Sequence, residues 1–172
     1  GQTISDFKLI EKIGEGSFGT VFRATQLSLG REVALKITPN IGREAQIMAH
    51  LEHESIVPVY SETLDPQGQL RFICMQYVSG PSLEQVLNQN RKPDLKVLLR
   101  WGIHLADALS YAHQRGVFHL DIKPSNILLH PSNRPFLTDF NVSLSQQELE
   151  GVSLAGGTKN FMSPEQEAHL ES

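Results

Sequence analysis

Cysteine is nearly absent: Cys74 is the single thiol in 172 residues. That excludes an internal disulfide. Set in the apolar run 70–75 with no nucleophile motif around it, Cys74 reads as a buried strand residue, and a reduced, cytoplasmic setting is expected. Long hydrophobic runs are also missing. No stretch reaches the ~20 apolar residues of a membrane-spanning helix and no secretory leader is visible, so no membrane segment is expected within this chain. Positive charge is not in surplus. The 15 Lys and Arg side chains face 19 Asp and Glu, for a formal net charge of −4. The basic surface of a nucleic-acid binder is therefore lacking. His50, His53 and His113 lie near predicted helix ends, and no cysteine or carboxylate completes a metal set with them; they read as structural or exposed. No internal repeat or low-complexity tract is present. What remains is an ordinary globular composition, 40% apolar and 20% charged, enough for a core in one domain or two small lobes.

The first third reads as β. Residues 7–13 and 20–25 alternate apolar and polar, and a glycine-rich stretch joins them. A turn at Gly30 leads to a third strand at 32–37. Residues 42–51 read as a helix, with Ala45, Met48 and Ala49 on one face. Residues 56–60 and 70–78 read as two more strands around the turn Asp65-Pro66-Gln67-Gly68. Ser79-Gly80-Pro81 is a short linker, after which the pattern turns helical. A helix over 82–88 has Ser82 as its N-cap. A longer one over 94–114 carries Leu98, Trp101, Leu105, Ala108, Leu109 and Ala112 on one side, and Gly116 stops it. Short strands and loops continue to Gly157. The class is α+β, with a β-rich lobe at 1–78 (five strands, one helix) and a helix-rich lobe at 79–172. A cleft between such lobes is a common place for a ligand. The acidic balance does not exclude a nucleotide there, because a local lysine and a divalent cation supply positive field.

Three stretches carry chemistry. Gly14-Glu15-Gly16-Ser17-Phe18-Gly19-Thr20-Val21 fits G-x-G-x-x-G-x-V. A strand comes after it rather than a helix, so it is a hairpin and not a dinucleotide-binding turn. Glycines let backbone N–H groups approach phosphates, so a phosphate lid and an ordinary glycine-rich hairpin are equal alternatives at this point. Lys36 ends the apolar Val33-Ala34-Leu35, seventeen residues after Gly19. A strand-end lysine is ordinarily a snorkelling edge residue; here it reads better as a cation for phosphate oxygens. Glu44, on the next helix, is its candidate acidic partner, against the plain reading of a solvated helix glutamate. The third stretch is His119-Leu120-Asp121-Ile122-Lys123-Pro124-Ser125-Asn126, with Thr138-Asp139-Phe140-Asn141 beyond it.

This third stretch resembles the protein kinase catalytic loop H-R-D-x-K-x-x-N. The resemblance extends to V-A-I-K at Val33–Lys36, to H-x-x-I-V at His53-Glu54-Ser55-Ile56-Val57, to D-F-G at Asp139-Phe140-Asn141, and to A-P-E at Ser163-Pro164-Glu165. The chain is identified as a member of the protein kinase superfamily, serine/threonine type, with the bacterial and in particular the planctomycete kind most alike. The resemblance implies a two-lobed fold, a five-stranded antiparallel N-lobe and a mostly helical C-lobe lacking its later helices. It implies ATP and Mg²⁺ as cofactors, with Mn²⁺ as an alternative. By the same resemblance Asp121 accepts the proton of the substrate hydroxyl, Lys123 neutralises the transferred phosphoryl group, and Lys36 with Glu44 holds the α- and β-phosphates. Asn126 and Asp139 would bind the metal. The resemblance sets ATP against Ile13, Gly14, Gly16, Ser17, Gly19, Val21, Ala34, Lys36, Met75, Gln76, Val78 and Leu128. Met75 is then the gatekeeper, Gln76 begins the hinge, and Val21, Ala34 and Leu128 sandwich adenine. Met48, Val59, His119 and Phe140 are expected to stack as an apolar spine, and Thr158 to brace Asp121 and Lys123. Lysine at 123 is the serine/threonine pattern, and the implied partner is a protein bearing Ser or Thr.

The sequence departs from the family at four places. Leu120 replaces the arginine that binds a phosphorylated activation loop, so activity is expected not to depend on phosphorylation at Ser143, Ser145 or Ser153. Asn141 replaces glycine; asparagine tolerates positive φ. Only seven residues separate Lys36 from Glu44, fewer than is usual, which implies a short helix or an omitted segment. Ser172 ends the chain soon after Glu165, which implies exposed apolar surface on the helix at 94–114 and poor stability of this piece by itself. Starting at Gly1 rather than Met, the chain is expected to be part of a larger or membrane-anchored protein. Two other readings stand beside an active kinase. One is a pseudokinase that binds nucleotide or scaffolds without turnover, supported by Leu120 and Asn141. The other is a small-molecule kinase, opposed by Lys123 and Ser163-Pro164-Glu165.

Overall fold

The computed structural model describes residues 2–16, 19–40, 48, 50–89, 92–140, 144–145, 158–164 and 167, with only the backbone at 144, 145 and 159. Ser17, Glu44, Asn141, Ser143, Ser153, Glu165 and most of the helix expected over 42–51 lie outside the described residues; Met48 within it is helical and buried. The chain divides into two compact units. One is Gly1–His50 with Pro58–Val78, the other Leu51–Val57 with Ser79–Ser172. A single cut at residue 78 would leave Leu51–Val57 with the first unit, yet its contacts are with the second. Val57 N–H donates to the Leu137 carbonyl (2.9 Å), Leu137 N–H to the Ser55 carbonyl (2.8 Å), and Arg134 pairs with Glu54 at 2.5 Å.

The first unit is an antiparallel sheet of strands β1 (Thr3–Ile4), β2 (Phe7–Gly16), β3 (Gly19–Gln26), β4 (Arg31–Pro39), β5 (Val59–Leu64) and β6 (Leu70–Gln76). Their order is β1-β2-β3-β4-β6-β5, six strands where the alternation predicts five. The extra strand is two residues long, too short to alternate, and pairs as Thr3↔Lys8 and Ile4↔Phe7. A second difference is the start of β5. The apolar run at 56–60 predicts a strand from Ile56, but β5 begins at Val59. Pro58 has no N–H for a ladder; its carbonyl takes the Gln76 N–H instead (3.0 Å), while Ile56 bridges Leu137.

Alternation along these strands gives the sheet two faces. One buries Phe7, Ala24, Val33, Leu35, Phe72 and Cys74 as a core, with Ile4, Leu9 and Ile37 packed against it. Each large apolar side chain removed from water there contributes ~1.5–3 kcal/mol. Cys74 is 1% exposed and burial pushes its thiol up, as a buried strand cysteine should behave. The opposite face carries Val21, Ala34, Lys36, Ile73 and Met75, fixed by the cross-strand pairs Val21↔Lys36, Lys36↔Ile73 and Ala34↔Met75.

The second unit is built on helices α1 (Leu83–Asn88) and α2 (Leu95–His113). Ser82 caps α1 in a capping box: its hydroxyl accepts from Gln85 N–H (3.1 Å) and the Gln85 side chain accepts from Ser82 N–H (2.8 Å). Asp94 caps α2 through Lys96 N–H (2.7 Å), and the chain leaves α2 at Gly116, whose φ of 71° suits a residue without Cβ. Of the face predicted to pack, Trp101, Ala108 and Ala112 are buried, and the Trp101 indole donates to the Asn133 carbonyl (3.1 Å). Leu95, Leu98, Leu99 and Ile103 are exposed, which bears on the expected apolar surface of this helix. Strand β7 (Val117–Phe118) pairs with β10 (Leu144–Ser145), and β8 (Ile127–Leu129) with β9 (Pro135–Leu137). The linker rests on β8: Leu129 N–H donates to the Pro81 carbonyl (2.9 Å), and a Cβ at Gly80 would collide with the Leu129 carbonyl oxygen.

Candidate active site

In the first unit, β-structure positions every described candidate except Val78, which lies just past the end of β6. The β2–β3 hairpin pairs Gly14 with Val21 and Gly16 with Gly19. Its three motif glycines serve different ends. Gly19 has φ 131°, and a Cβ there would run into the Ile37 carbonyl, so the fold itself demands glycine. Gly14 would meet Val21 only at ordinary contact (3.7 Å), and Gly16 would meet nothing within 4 Å. No packing within the described residues requires glycine at 14 or 16; close approach by a ligand would. Register shifts across Leu9/Glu11 and Lys12/Gly14 leave Ile13 out of the ladder and 43% exposed. Lys36 is 2% exposed, which rules out the snorkelling edge lysine. Met75 and Val78 are buried, and the Gln76 N–H is used by Pro58.

In the second unit the candidates converge on one carboxylate. Lys123 Nζ lies 2.8 Å from Asp121 Oδ2 and donates to Thr158 Oγ1 (2.8 Å); Thr158 Oγ1 donates to Asp121 Oδ1 (2.8 Å). Asn126 Nδ2 reaches both the Asp121 carbonyl (2.9 Å) and Oδ2 (3.2 Å). Burial raises the Asp121 pKa, but the bonds from Lys123 and Thr158, the Lys123 charge and the Asn126 bond outweigh it, and the carboxyl sits below its usual range. A carboxylate has roughly four acceptor sites. Three side-chain donors occupy this one, which leaves a place for a hydroxyl.

The loop that presents Asp121 is held by His119 and by strained backbone. His119 is 2% exposed, and its ring packs on Phe140 with centroids 4.4 Å apart. Nδ1 accepts the Asp121 N–H (3.3 Å), so Nε2 carries the proton and donates to the Thr138 carbonyl (2.9 Å). Burial depresses the His119 pKa, which favours this neutral form. Leu120 and Asp139 both take left-handed backbone, φ 62° and 60°. Such residues cost on the order of 1–3 kcal/mol and persist where surroundings fix them. Sequence reasoning places His119 only in a spine. It misses the role of this histidine in tying residues 119–121 to 138, although a histidine two residues before the key aspartate is the available signal.

Structure therefore brings together Asp121, Lys123, Asn126 and Thr158, and joins His119 to Phe140. Met48 and Val59 belong to the other unit, as do Val21, Ala34 and Lys36, while Leu128 lies in β8. Glu44 and Ser17 fall outside the described residues. The donor set suits a hard cation: Asp139 has a carboxylate, and Asn126, with its amide nitrogen committed to Asp121, has an amide oxygen.

The protein kinase domain family matches residues 7–169. The chain is 31% identical over 180 residues to serine/threonine-protein kinase PrkC of Bacillus subtilis, covering 96% of this chain and 28% of PrkC. It is 35% identical over 170 residues to serine/threonine-protein kinase PknK of Mycobacterium tuberculosis, covering 92% and 15%. It is 35% identical over 188 residues to serine/threonine-protein kinase pkn3 of Myxococcus xanthus, covering 96% and 34%. The chain thus spans from about a seventh to about a third of the length of these relatives.

Proposed function

The chain belongs to the protein kinase domain family, and from that membership we propose that it transfers the γ-phosphoryl group of ATP, with Mg²⁺, to serine and threonine hydroxyls of protein substrates. The observation that carries the reading is the Asp121 carboxylate, bracketed by Lys123, Thr158 and Asn126 with room for one more donor. A substrate hydroxyl is that donor. Held below its usual pKa, Asp121 is a weak base. Its first service is to orient the hydroxyl oxygen toward the phosphorus; it takes the proton as the new O–P bond forms and the bond to the leaving diphosphate breaks. Lys123 sets a positive charge beside the transferred group. Lys36, desolvated on its sheet face, holds phosphate oxygens with Glu44 as its acidic partner. Asn126 and Asp139 would hold Mg²⁺, which supplies charge neutralisation across the phosphates. Gly14, Gly16, Ser17 and Gly19 cover the phosphates. The Gln76 carbonyl and the Val78 backbone receive adenine, with Ile13, Val21, Ala34, Met75 and Leu128 as its apolar surroundings. ATP supply and a reduced Cys74 favour a cytoplasmic site of action; no helix among the described residues is long and apolar enough to cross a membrane.

The pseudokinase reading has less behind it. Leu120 contributes no group to the transfer, and each residue with a chemical role is present in the sequence. Radiolabelled ATP with casein as acceptor tests the proposal. The intact protein should label casein, and Asp121→Asn should lower kcat by about 10²–10⁴. Equal labelling by Asp121→Asn would sink it.

A further inference from the structure

Arg71 and Arg23 both hold carboxylates in the first unit, and neither has a place in the transfer. Arg71 is 8% exposed near the start of β6; its Nη2 donates to Asn40 Oδ1 (2.7 Å) and its Nε lies 3.2 Å from Glu62 Oε1. It ties β6 to β5 and to the residue after β4. Arg23 is placed differently. Its cross-strand partner is Ala34 and it follows Val21 by two along β3, so it shares their face. Glu11, paired with it from β2, accepts from Nη1 (3.0 Å). Glu32, on β4, accepts from Nε (3.2 Å) and Nη2 (2.5 Å). Three bonds from the two neighbouring strands fix the plane of the guanidinium. Exposed ion pairs add little to stability; what these decide is where the cation stands. It stands over the Tyr77 ring, its guanidinium carbon 5.2 Å from the ring centre, within the range of a cation–π contact.

We propose that Arg23, clamped by Glu11 and Glu32, is a positioning residue for the nucleotide: it holds Tyr77, and through Tyr77 the Gln76 carbonyl and Val78 N–H that receive adenine. The inference rests on the kinase reading, which puts adenine at those two groups. Peptide geometry supplies the argument. The Gln76 carbonyl and the Val78 N–H belong to the two planar peptide units that meet at the Tyr77 Cα, so the φ and ψ of Tyr77 set the angle between them. The sheet fixes the first unit of that pair. Gln76 is paired with Val33, and its N–H donates to the Pro58 carbonyl (3.0 Å). The pairing of β6 with β4 stops there, one residue short of Tyr77. The ring on Arg23 carries the register of β3 one residue further, to the place where the second unit turns. Two hydrogen bonds to one planar base need both groups aimed together, so a loosened Tyr77 weakens nucleotide binding and leaves the chemistry at Asp121 alone.

A double-mutant cycle between Arg23 and Tyr77 in the intact protein, read as casein labelling over a range of ATP concentrations, tests this. Arg23→Met keeps the stem and removes the charge; it should raise KM for ATP about fivefold with kcat within about twofold of wild type. A merely structural role would lower the active fraction, hence kcat, and leave KM in place. Arg23→Lys, which keeps a cation over the ring, should recover most of the loss. Tyr77→Leu should match Arg23→Met, while Tyr77→Phe, with its ring face intact, should stay near wild type. The double variant Arg23→Met with Tyr77→Leu should raise KM by no more than about sevenfold, because the two changes remove one contact. A multiplied rise of about twenty-five-fold would overturn the proposal, as would an unchanged KM in Arg23→Met. If Arg23→Met fails to fold, Arg23→Gln takes its place in the same cycle. An active wild type with Asp121→Asn dead keeps the kinase reading whatever the cycle gives; an Asp121→Asn protein as active as wild type removes both.

Discussion

The two units hold their functional groups by opposite means. In the first, a regular sheet does it: Val21, Ala34, Lys36 and Met75 face one way because strands alternate and register is fixed by unbroken pairing. Any residue at those positions would point the same way. In the second, Asp121, Lys123 and Asp139 sit on short loops and Asn126 closes the 3₁₀ turn Pro124–Asn126, and their placement depends on particular side chains. Two of the loop residues adopt left-handed backbone without being glycine. Sheet placement tolerates substitution of neighbours; loop placement does not. Losses in the second unit should therefore appear in activity, while losses in the first divide cleanly between stability and nucleotide binding.

After Asp121→Asn, the largest expected effect is at Asn126. Asn126→Ala removes both bonds that seat Asp121 together with the proposed metal ligand, and kcat should fall by about 10²–10³ with little change in KM for ATP. Steady-state kinetics would break the comparison if Asn126→Ala behaved like a plain surface change. Next come the paired glycines. Gly19→Ala should cost about 2–4 kcal/mol in denaturant unfolding, because of its φ and the Ile37 carbonyl. Gly16→Ala should be nearly silent in the melt and raise KM for ATP severalfold. Equal unfolding midpoints for the two would show that glycine serves the same end at both.

A smaller effect concerns pH. The His119 pKa is depressed in the folded protein by burial. The unfolded state therefore binds more protons between the folded value and the ordinary 6.5. The contribution to stability is complete above the ordinary value and is lost as pH falls through the folded one. Melts at falling pH should show this decline, and His119→Phe should flatten it. The smallest expected effect is none: Ser143, Ser145 and Ser153 changed together to alanine should leave casein labelling unaltered, since Leu120 offers no cation to a phosphorylated loop. Loss of activity would mean that another basic group has taken that role.

Much of the fold is legible in the residues alone, for physical reasons that differ by element. Capping residues Ser82 and Asp94 and the stop at Gly116 bound both helices to within a residue, because caps answer to local hydrogen bonding. The motif around Asp121 names its own partners, since a carboxylate serving a hydroxyl needs donors at fixed distances. Strand β1 escapes notice because two residues show no period. The start of β5 is misplaced because the backbone at Ile56 and Val57 pairs with Leu137 and not with the sheet. The left-handed turn at Leu120 and the buried Arg71 are invisible, because each contradicts what its residue type prefers.

The concealed thiol has a practical corollary. Cys74 is 1% exposed, its pKa is raised, and it is the single cysteine of the sequence. Thiol-directed dyes react through thiolate on accessible sulfur, so the native protein should remain unlabelled. A cysteine introduced at exposed Leu29 would then be the sole point of attachment for a fluorophore, and signals from it could be assigned without first engineering a cysteine-free background.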